Sequence, residues 1–174
     1  MRLKRTLWLA SVGLALVVVS GCGKRASLLL PDRRAEREVQ RFGAEEAIAR
    51  AEDRVKQEKS AAAQTSLAHI YALAGRPRDA RDALDAALKV DPVYPPAAAM
   101  KAQLLLNDGQ AKEAEKLCRA VLEKHPEVVE GYEILARALQ SQRRTSEAVT
   151  LLQEATKRLR GESTLYWALG DALS

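Results

Sequence analysis

Aromatic residues are scarce in this chain of 174 residues. It contains one phenylalanine, two tryptophans and four tyrosines, which make up 4% of the sequence. Alanine is abundant instead, and no run of alternating β-branched residues marks a strand. A large aromatic core is therefore excluded, and closely packed helices are favoured over sheets. The sequence predicts an all-α fold.

Residues able to bind a metal or to act as a nucleophile are equally few. The two histidines, His69 and His125, lie far apart in the sequence, and neither has a second histidine or cysteine at metal-ligand spacing. The sequence has no glycine-rich phosphate loop and no G-x-S-x-G segment. We therefore expect a protein that is not an enzyme, with no cofactor and no metal site.

One long hydrophobic run is present, at the N-terminus. Three basic residues, Arg2, Lys4 and Arg5, precede an uncharged apolar stretch at residues 7–19. A helix of this length spans about 20 Å, whereas the hydrocarbon core of a bilayer is about 30 Å thick. The stretch is too short for a comfortable membrane span. Its basic start and small-residue end are typical of a cleaved secretory signal peptide.

The end of this segment resembles the lipobox of bacterial lipoproteins. The sequence Val-Ser-Gly, one aliphatic and two small residues, directly precedes Cys22. The resemblance implies cleavage after Gly21, fatty acyl chains such as palmitate on Cys22, and anchoring in a membrane of the bacterial envelope. Because Gly23 rather than aspartate follows the cysteine, the sorting rule of the family favours the outer membrane, facing the periplasm. An ordinary signal peptide that ends near a cysteine is the alternative.

Removal of residues 1–21 also removes most of the basic character of the chain. The whole chain has 28 Lys and Arg against 23 Asp and Glu, but the signal peptide holds three of those bases and no acid. The mature chain of 153 residues therefore has 25 basic and 23 acidic side chains, a net charge of +2. So small an excess gives no support to nucleic-acid binding. A lipid on Cys22 would also leave Cys118 without a cysteine partner.

Glycine, proline and apolar residues recur with a 34-residue period. Gly75 is followed by Gly109, and Pro92 by Pro126, although the chain has only nine glycines and six prolines. Mostly apolar columns have the same spacing: Ala80, Ala114 and Ala148; Leu84, Cys118 and Leu152; Tyr71, Leu105, Leu139 and Leu173. The column of Leu84 predicts that Cys118 is a buried structural thiol. A repeat of this length indicates stacked helical pairs.

The 34-residue pattern resembles the tetratricopeptide repeat, which has two helices per unit, small residues at the closest helix crossings and proline after the second helix. We assign three units and a half unit: residues 61–94, 95–128, 129–162 and 163–174. The resemblance implies an α-solenoid of about three and a half helix-turn-helix repeats. The third unit departs from the pattern, with Arg143 in place of glycine and Arg160 in place of proline. Thr145 is predicted to cap its second helix.

Residues 22–31 are expected to form a lipidated tether, and residues 32–60 an N-terminal helix or helix pair. Apolar residues from Ala35 to Val55 recur at helical spacing among charges of both signs, and Gly43 can divide the segment. Packing of this extension on the repeats as a cap is the preferred interpretation. A short coiled-coil arm directed away from the membrane is the alternative.

In the tetratricopeptide family, the first helix of each unit lines a concave groove in which partners bind. Its inward positions correspond to eight polar residues of this chain: Thr65, His69, Gln103, Asn107, Glu133, Arg137, Gln140 and Asp171. They are expected to hydrogen-bond an extended or helical peptide, with Arg137 as the best anchor for a carboxylate. The Lys and Asn pattern by which chaperone-binding relatives clamp a terminal carboxylate is lacking. Each residue taken alone could equally be an ordinary polar surface residue.

The last half unit offers a second candidate surface. Five residues of its single helix are large and apolar or aromatic: Leu165, Tyr166, Trp167, Leu169 and Leu173. Those that do not pack on the third unit would form an apolar edge for a partner or for a homodimer. A shortened but satisfied cap is the alternative.

Together these features predict a membrane-anchored lipoprotein whose repeats form a protein–protein interaction scaffold or adaptor. The expected partner is another envelope protein or peptide segment, bound during assembly of a cell-envelope complex, as pilotins do for pilus secretins. The alternative from a different functional class is a periplasmic chaperone or carrier that binds unfolded or extended polypeptides in the groove.

Overall fold

The computed structural model describes residues 33–173, and this part of the chain consists of α-helices joined by short turns, without a β-strand. Its helices in chain order are α1 (Arg33–Phe42), α2 (Ala44–Glu58), α3 (Ala61–Leu73), α4 (Pro77–Val90), α5 (Pro95–Asn107), α6 (Ala111–Lys124), α7 (Val129–Ser141), α8 (Thr145–Arg158) and α9 (Ser163–Ala172). The predicted all-α fold is confirmed. The predicted signal peptide, Cys22 and the predicted tether lie outside the described residues. None of the described helices is long and apolar enough to cross a bilayer.

Helices α3 to α8 form three pairs of matching length. The first helix of each pair has 13 residues and the second has 14. The first helices begin at Ala61, Pro95 and Val129, and α9 begins at Ser163, so that all four starts follow the period of the sequence repeat. Within the described range, helices contact only those of the same or an adjacent pair. The result is a stack in which each pair buries its apolar stripe against its neighbours.

The turn inside each pair has the same backbone geometry in all three units. Gly75 and Gly109 have φ angles of 72° and 76°, and Arg143 takes the equivalent position with a φ of 61°. The next residue donates its N–H to a carbonyl five residues earlier, as Arg144 does to Leu139 at 2.9 Å. Arg143 therefore preserves the glycine turn, although a residue with a Cβ atom strains the backbone in the left-handed region.

The prediction that Thr145 caps α8 is wrong. Helix α8 begins at Thr145, its N-cap residue is Arg144, and no side chain makes a capping hydrogen bond. The reason is that Arg143, with its left-handed backbone, ends the turn. The N-cap position of α8 therefore falls on Arg144, and Thr145 is already the first residue of the helix. The Arg144 side chain instead donates to the Glu147 carboxylate in the first turn of α8, at 2.6 and 2.7 Å.

Small and aliphatic residues of the 34-residue columns form the core. Two predicted columns are almost completely buried: Ala80, Ala114 and Ala148, and Leu84, Cys118 and Leu152. The alanines allow neighbouring helices to approach closely, and the larger side chains fill the remaining space. The predicted burial of Cys118 is confirmed, and this burial raises the pKa of its thiol to about 12.

Helices α1 and α2 pack on the first pair. A φ of 85° at Gly43 separates the two helices, and both contact α3. Ala35 and Ile48 are buried in the same core cluster as residues of α3 and α4. Arg54 on α2 donates two hydrogen bonds to the carboxylate of Glu38 on α1, at 3.0 and 2.9 Å. The described part of this extension therefore covers the end of the stack and does not reach away from it as an arm.

Polar side chains link successive pairs at equivalent positions. Arg81 of α4 donates to both carboxylate oxygens of Asp108, which follows α5, at 2.8 and 2.7 Å. At the equivalent positions of the next unit, Glu115 of α6 accepts a hydrogen bond of 2.7 Å from Gln142, which follows α7. Arg144 adds a second bond of 2.7 Å to the same Glu115 oxygen. In the first link the second helix of the unit supplies the donor, and in the second link it supplies the acceptor. Each link joins the second helix of one unit to the turn inside the next unit.

Candidate functional site

The first helices of the successive pairs lie side by side and form one continuous face. In the described chain α3 contacts α5, α5 contacts α7, and α7 contacts α9. At the C-terminal end of this face, between α7 and α9, lies a pocket of about 370 Å³. We call it the α7–α9 pocket. It is lined by Glu133, Ala136, Arg137 and Gln140 of α7, and by Thr164, Trp167, Ala168 and Asp171 of α9.

Half of the predicted groove residues meet in the α7–α9 pocket. Glu133, Arg137 and Gln140 share one face of α7 because they are three or four residues apart. Asp171 lines the pocket from α9, together with Trp167, whose surface is 82% exposed. The structure thus joins polar groove residues to an aromatic residue of the apolar edge in a single concave site.

Glu133 is the most enclosed charged residue of the α7–α9 pocket. Burial raises the pKa of its carboxyl group, and the neighbouring Glu130 carboxylate acts in the same direction. A hydrogen bond with Thr164 and the positive charge of Arg137 act against this rise. Since the pKa stays raised, the negative charge of Glu133 is only partly compensated by its surroundings. A positively charged or hydrogen-donating group in the pocket would complete that compensation.

Arg137 connects two helical pairs. Its Nη1 donates to Oε1 of Gln103 on α5 at 2.6 Å, and Nε2 of Gln103 donates to Oδ1 of Asn107 at 3.1 Å. Three predicted groove residues therefore form one hydrogen-bonded row across α5 and α7. The row occupies one of the five N–H donors of the guanidinium group and holds that group toward α5.

The two predicted groove residues on α3 lie outside the pocket. Thr65 is 8% exposed, and its hydroxyl donates to the backbone carbonyl of Ala61 at 2.7 Å. Since this hydroxyl is buried and satisfied within its own helix, Thr65 offers no surface to a ligand. His69 is half-buried on the same helix.

The five apolar and aromatic candidates at the last half unit divide between the core and the surface. Leu165 is fully buried and Leu169 is partly buried against the core, because their side of α9 packs on α7 and α8. Tyr166, Trp167 and Leu173 are 53%, 82% and 66% exposed. Leu165 therefore belongs to the core, and three residues remain available on the surface.

The sequence does not single out the pocket residues Ala136, Thr164 and Ala168. The repeat column of Ala168 holds Ser66, Met100 and Ile134 in the first three units, so that side-chain size varies along this column and marks no pocket. The packing of α9 on α7 brings the three residues together.

A second pocket, of about 190 Å³, lies between the first two pairs. The charged residues that line it are paired with each other: Arg81 with Asp108, and Lys101 with Asp85. This pocket is thus accounted for by contacts between the pairs. Across residues 33–173, no group of three or more His, Cys, Asp or Glu side chains is arranged to hold a metal ion.

Comparison with known families identifies the repeats. Two sequence models of the tetratricopeptide repeat match this chain, one at residues 65–129 and the other at residues 105–173. No curated protein sequence gives a significant match.

Solved structures with the same fold come from several bacteria. A MamA protein from Desulfovibrio magneticus RS-1 is 20% identical with a TM-score of 0.63, and the match covers 86% of this chain and 85% of that one. The pilF protein of Pseudomonas aeruginosa is 17% identical with a TM-score of 0.67, over 81% of this chain and 65% of that one. A tetratricopeptide repeat protein from Parabacteroides merdae is 14% identical with a TM-score of 0.65, over 80% and 55%. At these identities the likeness shows the fold alone, and it confirms the predicted solenoid.

Proposed function

We propose that this member of the tetratricopeptide-repeat family is a scaffold or adaptor that recruits another protein of the bacterial cell envelope. The chain belongs to that family because the two matched segments together span residues 65–173. Proteins built from such repeats bind other proteins on their concave face. The observation that carries the proposal is the α7–α9 pocket, where Glu133, Arg137, Gln140 and Asp171 meet the exposed ring of Trp167. Such a surface offers an extended polypeptide both hydrogen-bonding groups and an apolar wall.

A lipid anchor is the second part of the proposal. The lipobox-like sequence supports cleavage after Gly21 and acylation of Cys22, with the repeats facing the periplasm from the outer membrane. From Cys22 to Arg33, where α1 begins, the chain advances by 11 residues, so that a fully extended tether spans at most about 36–40 Å. The groove would therefore act close to the membrane. Assistance in the assembly of a membrane complex, as pilotins give to secretins, is the specific form of scaffold that fits this placement.

Cell fractionation tests the anchor. Cys22→Ser removes the thiol that would carry the lipid, so that the protein is expected to move from the membrane fraction to the periplasmic fraction. Cys118→Ala is the matched control, because it removes the other thiol and should leave the protein in the membrane fraction. Unchanged membrane partitioning of Cys22→Ser would contradict the anchor.

Copurification tests the groove. The double variant Arg137→Glu with Gln103→Ala breaks the row between α5 and α7 at exposed or half-exposed positions. It is expected to lose the partner while circular dichroism shows unchanged helix content. The control variant, Lys112→Glu with Gln153→Ala, makes equivalent changes at exposed positions of α6 and α8 outside the pocket and should retain the partner.

The pattern of captured proteins separates the two functional classes. One partner in stoichiometric amount, lost in the groove variant, supports the scaffold. Weak binding to many unfolded polypeptides would instead identify a periplasmic chaperone or carrier. A single partner retained by the groove variant would move the binding site to the exposed edge at Tyr166 and Leu173.

A further inference from the structure

We propose that the α7–α9 pocket accepts a basic side chain, lysine or arginine, from an extended segment of the partner. This inference rests on the proposed function, because it names the chemistry of the segment that the groove binds. The competing ligand is a carboxylate, for which the sequence offers Arg137 as the anchor. The cation is favoured by the carboxylates of the pocket, by the position of Trp167 and by the bond that Arg137 makes to Gln103.

Two carboxylates face the pocket from different helices. Glu133 lies on α7 and Asp171 on α9. Neither takes part in any of the ion pairs found among residues 33–173. Burial raises the pKa of Glu133, which means that its charged form lacks full compensation where it stands. A cation placed between the two helices would interact favourably with both carboxylates at once.

Trp167 gives the pocket a wall that suits a cation. Its indole is 82% exposed to solvent although it is large and mostly apolar. The face of an indole ring attracts ammonium and guanidinium groups, and the methylene stem of lysine or arginine can pack along the same ring. The pocket volume of about 370 Å³ lies near the lower end of the range of about 300–1,000 Å³ typical of ligand pockets. That size suits one long side chain better than a folded domain.

Arg137 is the feature that would oppose a cation, and its hydrogen bond limits that opposition. Nη1 of Arg137 donates to Gln103 on α5 at 2.6 Å, so that the guanidinium group is held on the α5 side of α7. Asp171 and Trp167 stand on α9, and Glu133 of α7 bonds with Thr164 of α9. The pocket itself therefore carries two acidic groups and one basic group, a local excess of negative charge. A ligand carboxylate would have to overcome this excess, and one of the five guanidinium donors is already occupied by Gln103.

Fluorescence of Trp167 can test the proposal directly. The sequence has two tryptophans, and Trp8 lies in the signal peptide, so that Trp167 is the sole tryptophan of residues 22–174. We would titrate this mature chain, with Cys22→Ser to keep it soluble, with the peptide Ac-Gly-Ser-Ala-Arg-Ala-Ser-Gly-NH₂. Matched peptides carry lysine, neutral citrulline or glutamate in place of the arginine.

The expected result is a saturable change with the arginine and lysine peptides and binding at least about fivefold weaker for citrulline. Asp171→Asn, at an exposed position, should weaken arginine-peptide binding by about three- to tenfold. Glu113→Gln on α6, an exposed carboxylate outside the pocket, should leave it unchanged. Binding of the arginine peptide should also weaken as the salt concentration rises.

Three results would overturn the proposal. They are tighter binding of the glutamate peptide, equal binding of the citrulline and arginine peptides, and no saturable change with any peptide at millimolar concentration.

The same data separate this proposal from the scaffold function. If the groove variant of Arg137 and Gln103 loses the copurified partner while the peptides show no preference for arginine, the scaffold stands and the basic specificity fails. If arginine peptides bind but every pocket variant retains the partner, the basic specificity of the pocket is supported and recruitment of the partner through this groove is not.

Discussion

Two helical glycines have opposite surroundings. A Cβ added at Gly131 would lie 2.8 Å from Cδ2 and 3.1 Å from Cγ of Leu122. A Cβ added at Gly170 would have no heavy atom within 4 Å, and neither glycine has a φ in the left-handed region. The first position is therefore limited by packing between α6 and α7, whereas at the second only the flexibility of glycine matters.

Gly131→Ala is expected to lower the free energy of unfolding by about 1 kcal/mol, because Leu122 must shift from a packed position. Gly170→Ala is the matched control and should raise the free energy of unfolding by up to about 1 kcal/mol, because alanine favours the helix. Urea denaturation followed by circular dichroism measures both. A stabilising effect of Gly131→Ala would mean that Leu122 has a free alternative rotamer.

The Cys118 thiol is buried in the core, and this burial raises its pKa to about 12. Because the thiolate is the reactive form, Cys118 should be inert at about pH 8 in the native protein. In a chain of residues 22–174 with Cys22→Ser it is the sole thiol. A chromogenic disulfide reagent should therefore detect no thiol before unfolding in guanidinium and one equivalent afterwards. Rapid reaction of the native protein would show that α6 opens readily.

At the scale of helical elements, the link from α6 to the next turn depends on Glu115, whose side chain is 13% exposed. Burial alone would raise the pKa of its carboxyl group. Hydrogen bonds from Gln142 and Arg119 and the positive charges of Arg144 and Arg119 outweigh burial, and the pKa lies below its ordinary value of 4.5. A carboxyl group with a lowered pKa stabilises the fold above its unfolded-state pKa, and this contribution is lost as the pH falls.

Glu115→Gln is therefore expected to lower the free energy of unfolding by about 1–2 kcal/mol at neutral pH. Its difference from the unaltered protein should shrink as the pH falls below about 4.5. Denaturant titrations at neutral and acidic pH measure the two differences. Glu147→Gln is the control, since Glu147 also pairs with Arg144 but has a side chain that is 52% exposed, and its effect should be smaller. An equal loss for Glu115→Gln at both pH values would show that the charge does not contribute.

The helical pairs could be predicted because a few residues restrict the backbone strongly. Gly75 and Gly109 mark turns in the left-handed region, and Pro92 ends a second helix. Arg143 carries no such signal, yet the same turn forms there, because the helices on either side impose it. The predicted cap at Thr145 is wrong for the same reason: the φ angle that fixes the start of α8 belongs to Arg143 and cannot be read from its side chain.

At the scale of the whole molecule, stability should vary along the stack. Helix α7 contacts α5, α6, α8 and α9, whereas α1 contacts α2 and α3, and α9 contacts α7 and α8. In an array held by contacts between neighbours, helices at the ends open more easily than those in the middle. Amide hydrogen exchange should therefore be faster in α1 and α9 than in α7, as measured by mass spectrometry of peptic fragments. Equal protection of all three helices would instead indicate that the stack unfolds as one cooperative unit.

The candidate site was predictable only in part, because it depends on how helices sit against each other. Repeat geometry places Glu133 and Arg137 on one face of α7, and both line the pocket. The burial of Leu165 beside the exposed Trp167 depends on the rotation of α9 against α7 and α8. The bond from Arg137 to Gln103 depends on the distance between α5 and α7. Neither the rotation of α9 nor the distance between α5 and α7 can be read from the spacing of residues along one helix.

The bond between Arg137 and Gln103 also has a mechanical consequence. It joins α5 to α7, and these helices belong to different pairs, so that the bond adds an exposed polar connection to the packing between two units. A ligand that leaves the bond in place meets a groove whose two units stay connected at this point. A ligand that replaces Gln103 as the acceptor removes one of the connections between the units. Basic and acidic partners would therefore differ in how firmly they leave the second and third units joined.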